Sequence, residues 1–208
     1  MLVKKESNSN YLTAFDPVSK GDHLARCIGV VDMGLEKSMF SDTFQPKTLF
    51  VFEVQDEPVE WEGELVPKII TAKVTTSAYE KSTMRQWLNN WLAPDDSEFD
   101  TGFDLERCVN EPCMIHVNHD ISKKDKSKIF DKVTNVSSVY KGLVVKAATN
   151  SLFYFSYPEH DVQRLIIARK YDIIEDTVRA VDNLPTIFKI QERVKNGLTY
   201  QSYFKAMP

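Results

Sequence analysis

No stretch of this 208-residue chain approaches the roughly 18 consecutive apolar residues that a bilayer-crossing helix needs, so the expectation is a protein that does not span a membrane. The basic start of the chain, with Lys4 and Lys5, is not followed by an apolar segment, and no secretory signal is read. Cysteine is scarce. Cys27, Cys108 and Cys113 form an odd set without close spacing, which excludes a disulfide framework and points to a reducing compartment, the cytoplasm.

Catalytic signatures are missing as well. There is no G-x-S-x-G, and His23, His116, His119 and His160 have no recognisable partnered serine or cysteine. Gly29 and Gly34 have the glycine spacing of a phosphate loop, but Leu35 and Glu36 stand where Lys and Ser or Thr are required. Cys108, Cys113, His116 and His119 resemble a metal set only at first glance. On an extended strand Cys113 and His116 face opposite ways, and Cys113 and His119 are about 20 Å apart at roughly 3.3 Å per residue. The P-C-x-x-C pattern of zinc deaminases is incomplete, because EPCMIH lacks its second cysteine. No enzyme, metal or cofactor is therefore expected. Scattered acids obey no spacing rule, which leaves a magnesium-dependent nuclease as an alternative to be tested by activity.

What is present is ordinary globular material. Apolar residues make up 42% and charged residues 27%, enough for one packed core with an appendage. The net charge of −4 conceals a segregation. Glu53 to Glu64 and Asp95 to Glu106 each hold six acids and no base; setting those twelve aside leaves 18 acids against 26 bases. Ser122 to Lys128 gathers Lys123, Lys124, Lys126 and Lys128 around Asp125, a concentration of positive potential suited to phosphate if a hairpin tip holds it. A solvated loop kept soluble by lysine accounts for the run equally well.

The pattern along the chain predicts a small barrel. His23 to Asp32 reads as strand one, with Gly29 marking a bulge or sharp bend. A long polar and aromatic loop, Met33 to Pro46, follows. Lys47 to Val54 is strand two, apolar on both faces and hence central; an acidic loop around Trp61 leads to strand three, Lys68 to Thr76, with Thr71, Lys73 and Thr75 outward. Ser77 and Glu80 form a capping-box signature, and Met84, Trp87, Leu88, Trp91 and Leu92 make the apolar stripe of a helix that Pro94 stops. Pro112 to His119 is strand four and Lys128 to Tyr140 strand five.

Three strands, a helix, then a hairpin of two strands is the connectivity of an OB fold, so the expected class is mainly β (α+β): a five-stranded OB-fold barrel with a helix between strands three and four. Beyond it, Phe153, Phe155 and Tyr157 alternate as a segment that buries itself on the barrel. Val162 to Val181 reads as helical, and Pro185 and Gly197 bracket a last helix. The expected domains are an N-terminal arm (1–20), the OB-fold domain (21–140) and a partly helical C-terminal extension (141–208).

OB barrels hold ligands on the outer face of strands two and three and in the loops after strands one and four. That frame selects Lys37, Phe40, Phe44 and Lys47 in or beside the first loop, Lys73 on strand three, and Lys123, Lys124, Lys126, Lys128, Phe130 and Lys132 on the hairpin. Cations follow a single strand's phosphates and rings stack on its bases. Phe130 is core instead if a bulge reverses the face of strand five.

The segments HLARCIGVVDMG, TTSAYEKSTMRQWL and LERCVNEPCMIHVNH, in that order, resemble bacteriophage single-stranded DNA-binding proteins of OB fold, over about residues 22–140. LPTIFKIQERVKNGLTYQS is similar to the closing helix of the same group. The resemblance implies a non-enzymatic protein that coats single strands in the host cytoplasm, without strong sequence preference, during phage replication or recombination. One departure is notable: no acid follows Glu192, where many such proteins carry an acidic tail that recruits replication enzymes. Without a tail competing for the groove, some affinity for duplex DNA is expected. The alternative from another class is a protein-interaction adaptor of a phage replication complex, which predicts co-purification with a partner and no oligonucleotide affinity.

Overall fold

A computed structural model of the chain describes residues 16–38, 42–61, 63–122, 125–126 and 129–156. Residues 1–15 of the arm, Tyr157 and the expected C-terminal helices lie outside the described residues. Strands β1 (Gly21–Lys37), β2 (Phe44–Trp61) and β3 (Glu64–Thr75) are followed by helices α1 (Thr83–Trp91) and α2 (Asp96–Thr101) and a 3₁₀ turn (Leu105–Cys108). Strands β4 (Pro112–Ile121), β5 (Ile129–Ser137) and the short β6 (Phe153–Phe155) complete the order. The first five strands form a curled antiparallel half-barrel in the order β3-β2-β1-β4-β5, consistent with an OB-like barrel.

The curl originates in β1, which serves two neighbours. Gly21 to Arg26 pair with β4, whereas Ala25 to Lys37 pair with β2. Two bulges lie along the second stretch, between Cys27 and Gly29 and between Asp32 and Gly34. Each inserts a residue into one strand only, which bends that strand and raises its twist. At the second bulge Gly34 adopts φ +69°, and its N–H donates to Asp32 Oδ1 at 2.7 Å. Beyond the first bulge β1 takes β6 as a parallel neighbour.

The pleat then sorts the side chains. Ala25, Cys27, Val30, Phe50, Phe52, Val54, Ile70, Ala72, Val74, Ile115, Val117 and Val133 fill the barrel. Leu49 and Val51, on the opposite face of β2, are also buried, as the doubly apolar pattern of that strand requires. Helix α1 supplies Met84, Trp87, Leu88 and Trp91 to the same core. Trp87 meets Phe50 edge-on at 6.2 Å, and Trp91 Nε1 donates to Pro112 O at 2.8 Å.

Several local expectations need correction. The helix is not capped by Ser77 and Glu80. Residues 79–82 make a further turn, with Ser82 N–H donating to Tyr79 O, and Ser82 Oγ then accepts from Arg85 N–H at 3.2 Å. Most of the expected loop from Met33 to Pro46 is strand, because β1 and β2 continue as a long ribbon with Lys37 opposite Phe44. The acidic stretch before Trp61 is likewise strand, and β3 begins at Glu64; the Trp61 side chain lies outside the described residues. The second acidic stretch is ordered by stacking. The Arg85 guanidinium lies 3.2 Å from the Phe99 ring centroid, Phe99 stacks on Phe103, and Arg107 covers Phe103. Arg85 also pairs with Asp96, and Arg107 with Glu98. The Arg107 pair, with the Asp95 N–H, holds the Glu98 carboxyl below its ordinary range.

Both ends of the expected 21–140 domain extend further. Val18 is buried in the barrel core, its N–H donates to Asp131, and its carbonyl accepts from His119 Nε2 at 2.7 Å. After β5 the chain crosses the outside of β1 and β2 as a strap. Arg26 donates to the carbonyls of Val145 and Lys146, and the buried Glu53 carboxylate accepts from Thr149 N–H, Asn150 N–H and Asn150 Nδ2 at 2.8–3.0 Å. Phe153 and Phe155 are then buried on β6.

Candidate nucleic-acid interface

Strands β3 and β5 end the sheet on either side and leave a seam between them. Where the start of α1 approaches this seam there is an open groove of about 780 Å³. One wall is Thr71 to Thr75 of β3, the other Asp131 to Thr134 of β5, and Ser77 and Lys81 to Thr83 stand at the helical end. The floor is apolar, built from Ala72, Val74, Val133 and Trp87.

Four lysines line this groove: Lys47, Lys73, Lys81 and Lys132. The acid among the lining residues is Asp131, which is occupied by the Val18 N–H at 3.0 Å. Lys47 is held by neutral groups, donating to Thr75 Oγ1 at 2.6 Å and Gln45 Oε1 at 3.2 Å. Lys73 pairs with Glu36, and Lys132 with Asp120 at 3.1 Å. Among the described residues no carboxylate pairs with Lys47 or Lys81. Ammonium groups on facing walls above an apolar floor can hold a polyanionic chain while its less polar parts face the floor.

The structure brings together three of the residues expected from sequence, Lys47, Lys73 and Lys132, and distributes the others. Lys37 lies on the β1–β2 ribbon, paired with Asp42 at 3.0 Å, and does not line the groove. Phe44 and Phe130 are each about half exposed and stand away from its lining. Among the described residues no phenylalanine lines the groove; the aromatic residue in its lining is Trp87, which is buried in the core as the helical stripe predicts. Phe130 shares the outward face of β5 with Lys132; a bulge exists in that strand, but between Val133 and Asn135, too late to turn Phe130 inward. Lys126 is exposed near the hairpin tip. Phe40, Lys123, Lys124 and Lys128 lie outside the described residues.

Lys81 lines the groove and is not among the residues expected from sequence. Lys81 immediately precedes the helix cap Ser82, and a cap displaced from Ser77 to Ser82 is what brings it beside the end of β3. The outer face of β1 and β2 is partly covered by the strap that Arg26 and Glu53 hold, which shifts the open cationic surface toward the β3–β5 seam.

Two other constellations have a catalytic look. Ser19 Oγ lies 3.4 Å from His23 Nε2, and His23 Nδ1 lies 3.2 Å from Asp56 Oδ1. The proton traffic is wrong for a nucleophile. His23 Nε2 is engaged by Ser19's own carbonyl at 2.9 Å, and the Ser19 hydroxyl donates to Glu57 at 2.9 Å, so the ring is not placed as a base for that hydroxyl. Burial opposes ionisation of Glu57, but Lys68 and the two Ser19 donors outweigh it and hold the carboxyl low. The group pins the N-terminal segment to the barrel.

The second constellation is Cys27, Cys108 and Cys113, all buried and free. Burial pushes the Cys108 thiol up to about 12 and raises Cys27 and Cys113 as well, the neighbouring thiols adding to both. Buried thiols that keep their protons are poor nucleophiles. Of the suspected metal set, Cys113 points into the core while His116 faces outward to Asp22 at 2.6 Å, and no group that could hold a metal occurs among the described residues.

Compared with known proteins, the chain matches no protein-family model and no curated protein. Among the described residues no helix is long and apolar enough to cross a membrane.

Proposed function

We propose that this protein binds single-stranded DNA without strong sequence preference, and that its half-barrel is an OB fold with α1 plugging the core between the third and fourth strands. The observation that carries the reading is the β3–β5 groove, lined by four lysines and a single, already engaged carboxylate. Its polarity suits a strand whose phosphates are charged and whose bases are not, and a single strand is the form of nucleic acid whose bases are free to meet an apolar floor. The resemblance of residues 22–140 to phage single-stranded DNA-binding proteins supports the same function in phage replication or recombination in the host cytoplasm. Duplex DNA is then a weaker ligand, limited to phosphate contacts.

The test is a fluorescence titration with oligo-dT at two salt concentrations, Trp87 being the tryptophan beside the groove, with a mobility shift as a second readout that does not depend on a tryptophan response. Binding that weakens steeply with salt is expected. Absence of binding in both assays at low salt would overturn the reading.

A second reading, an adaptor in a replication complex, draws on the ordered acidic segment. The Arg85–Phe99 stack fixes α2 on the barrel, and Asp96, paired with Arg85 but exposed, stands beside exposed Asp95 and Asp100. It predicts stable co-purification with another protein and no retention of oligonucleotides.

A further inference from the structure

The four groove lysines fall into two classes. Lys47 and Lys81 have no acidic partner among the described residues, whereas Lys73 on the β3 wall is paired with Glu36 and Lys132 on the β5 wall with Asp120. Both acids are brought in by a neighbouring ribbon. Glu36 projects from β1 near the end of the β1–β2 hairpin, and Asp120 from β4 opposite Phe130, two residues from Lys132. Neither carboxylate has another hydrogen-bond partner among the described residues. Each of the two walls therefore carries one ammonium whose anion is supplied by the protein itself.

We propose that Glu36 and Asp120 are internal counter-ions that occupy two anion positions of the groove in the free protein and are displaced when a phosphate chain enters; this rests on the groove being the DNA site. The physical argument is one of exchange. A single free anion gains little by displacing a tethered carboxylate, because the departing acid loses the interaction that the newcomer makes. A chain that also engages Lys47 and Lys81 gains two unopposed contacts along with the two exchanges. The pairs thus lower affinity for isolated anions more than for a polyanion, and they set the affinity of the protein below what its lysines alone would deliver. Partial exposure of both pairs keeps each exchange mild, within the range of surface ion pairs.

The experiment measures oligo-dT affinity and its salt dependence for the full chain and for Glu36→Gln, Asp120→Asn and the double variant. Glu64→Gln is the charge control, because it makes the same change in net charge at the start of β3, about 23 Å along the strand from Thr71. Each groove variant is expected to bind about threefold more tightly at low salt, and the double variant about tenfold, with gains that fade at high salt. The salt slope should steepen by up to about 0.7 for each lysine released. Inorganic phosphate, added as competitor, should inhibit the double variant at lower concentration than the wild type. If wild type and variants bind alike, and like Glu64→Gln, the counter-ion assignment is overturned while the DNA site stands. If neither wild type nor any variant binds oligo-dT, the groove as a DNA site falls and the proposal falls with it.

Discussion

The ring of Phe153 lies where a side chain on Gly29 would have to be. A Cβ built on Gly29 would stand 2.2 Å from ring atoms Cε2 and Cζ, far inside contact distance. The bulge at Gly29 and the parallel docking of β6 are therefore one feature: β1 bends there, and the bared Cα receives the ring.

Gly29→Ala should accordingly destabilise the fold by about 1–3 kcal/mol through overpacking, and Phe153→Ala by about 3–5 kcal/mol through the cavity it leaves. The double variant should be less damaged than the sum, by about 1 kcal/mol or more, because the ring that the new methyl would strike is gone. Urea unfolding of the four proteins decides it, and strict additivity would show that the two residues do not meet.

Position in the groove, rather than charge alone, should govern binding. Lys81→Ala and Lys47→Ala are expected to weaken oligo-dT binding several-fold and to reduce the salt slope by about 0.7 each. Lys37→Ala, which removes the same charge from the β1–β2 ribbon outside the groove, should change the slope little. Titrations at three salt concentrations separate the cases; equal effects from all three lysines would mean a diffuse electrostatic attraction with no groove.

Glu53 is the anchor of the strap. Its carboxylate is fully buried and receives three donors from Thr149 and Asn150. Glu53→Gln replaces an acceptor by an amide that turns its own N–H groups toward those donors, at a cost of about 1–3 kcal/mol. Limited proteolysis should then cut residues 143–150 faster in the variant, while a cleavage pattern identical to wild type would show that Arg26, together with Gln55, whose side-chain amide accepts from Lys146 N–H at 2.6 Å and donates to Lys146 O at 2.9 Å, suffices to hold the segment.

The buried thiols make stability pH-dependent on the alkaline side. Their folded pKa values are raised above the ordinary cysteine value, so the folded state keeps protons that the unfolded chain releases. Their contribution is complete below about pH 8.5 and is lost as pH climbs toward the folded values, by up to about 1.4 kcal/mol per pH unit for each thiol. Thermal melts from pH 7 to 10.5 should show this fall, reduced in Cys108→Ala. A thiol reagent at pH 8 should leave all three unmodified until denaturant is added; rapid labelling of the native protein would contradict the burial.

Short-range pattern was sufficient wherever one chain segment decides its own environment. The stripe Met84, Trp87, Leu88 and Trp91 specified both a helix and the face it buries, because 3.6-residue periodicity leaves one apolar side that must leave water. The doubly apolar strand at Lys47 to Val54 announced a central position in the same way, and Gly29 announced a bend. Local signals failed where two equivalent ones competed: Ser77 with Glu80 carries the capping-box signature, yet Ser82 holds the helix end. They failed again for ribbon length, since Met33 to Lys37 and Phe44 to Pro46 read as loop while the pairing of β1 with β2 carries them as strand.

The groove belongs to the other category. Lys47, Lys73, Lys81 and Lys132 come from three strands and a helix approach separated by as many as 85 positions, and no spacing rule connects them. Composition and order of elements were enough to require a small barrel with a cationic remainder. Which lysines share a cleft, which are matched by Glu36 and Asp120, and which rings stand aside were settled by the curl of β1, which leaves β3 and β5 facing one another without hydrogen-bonding. The reason is that periodicity acts over a few residues along one element, whereas a site is formed by the closure of the sheet, a property of all five strands together.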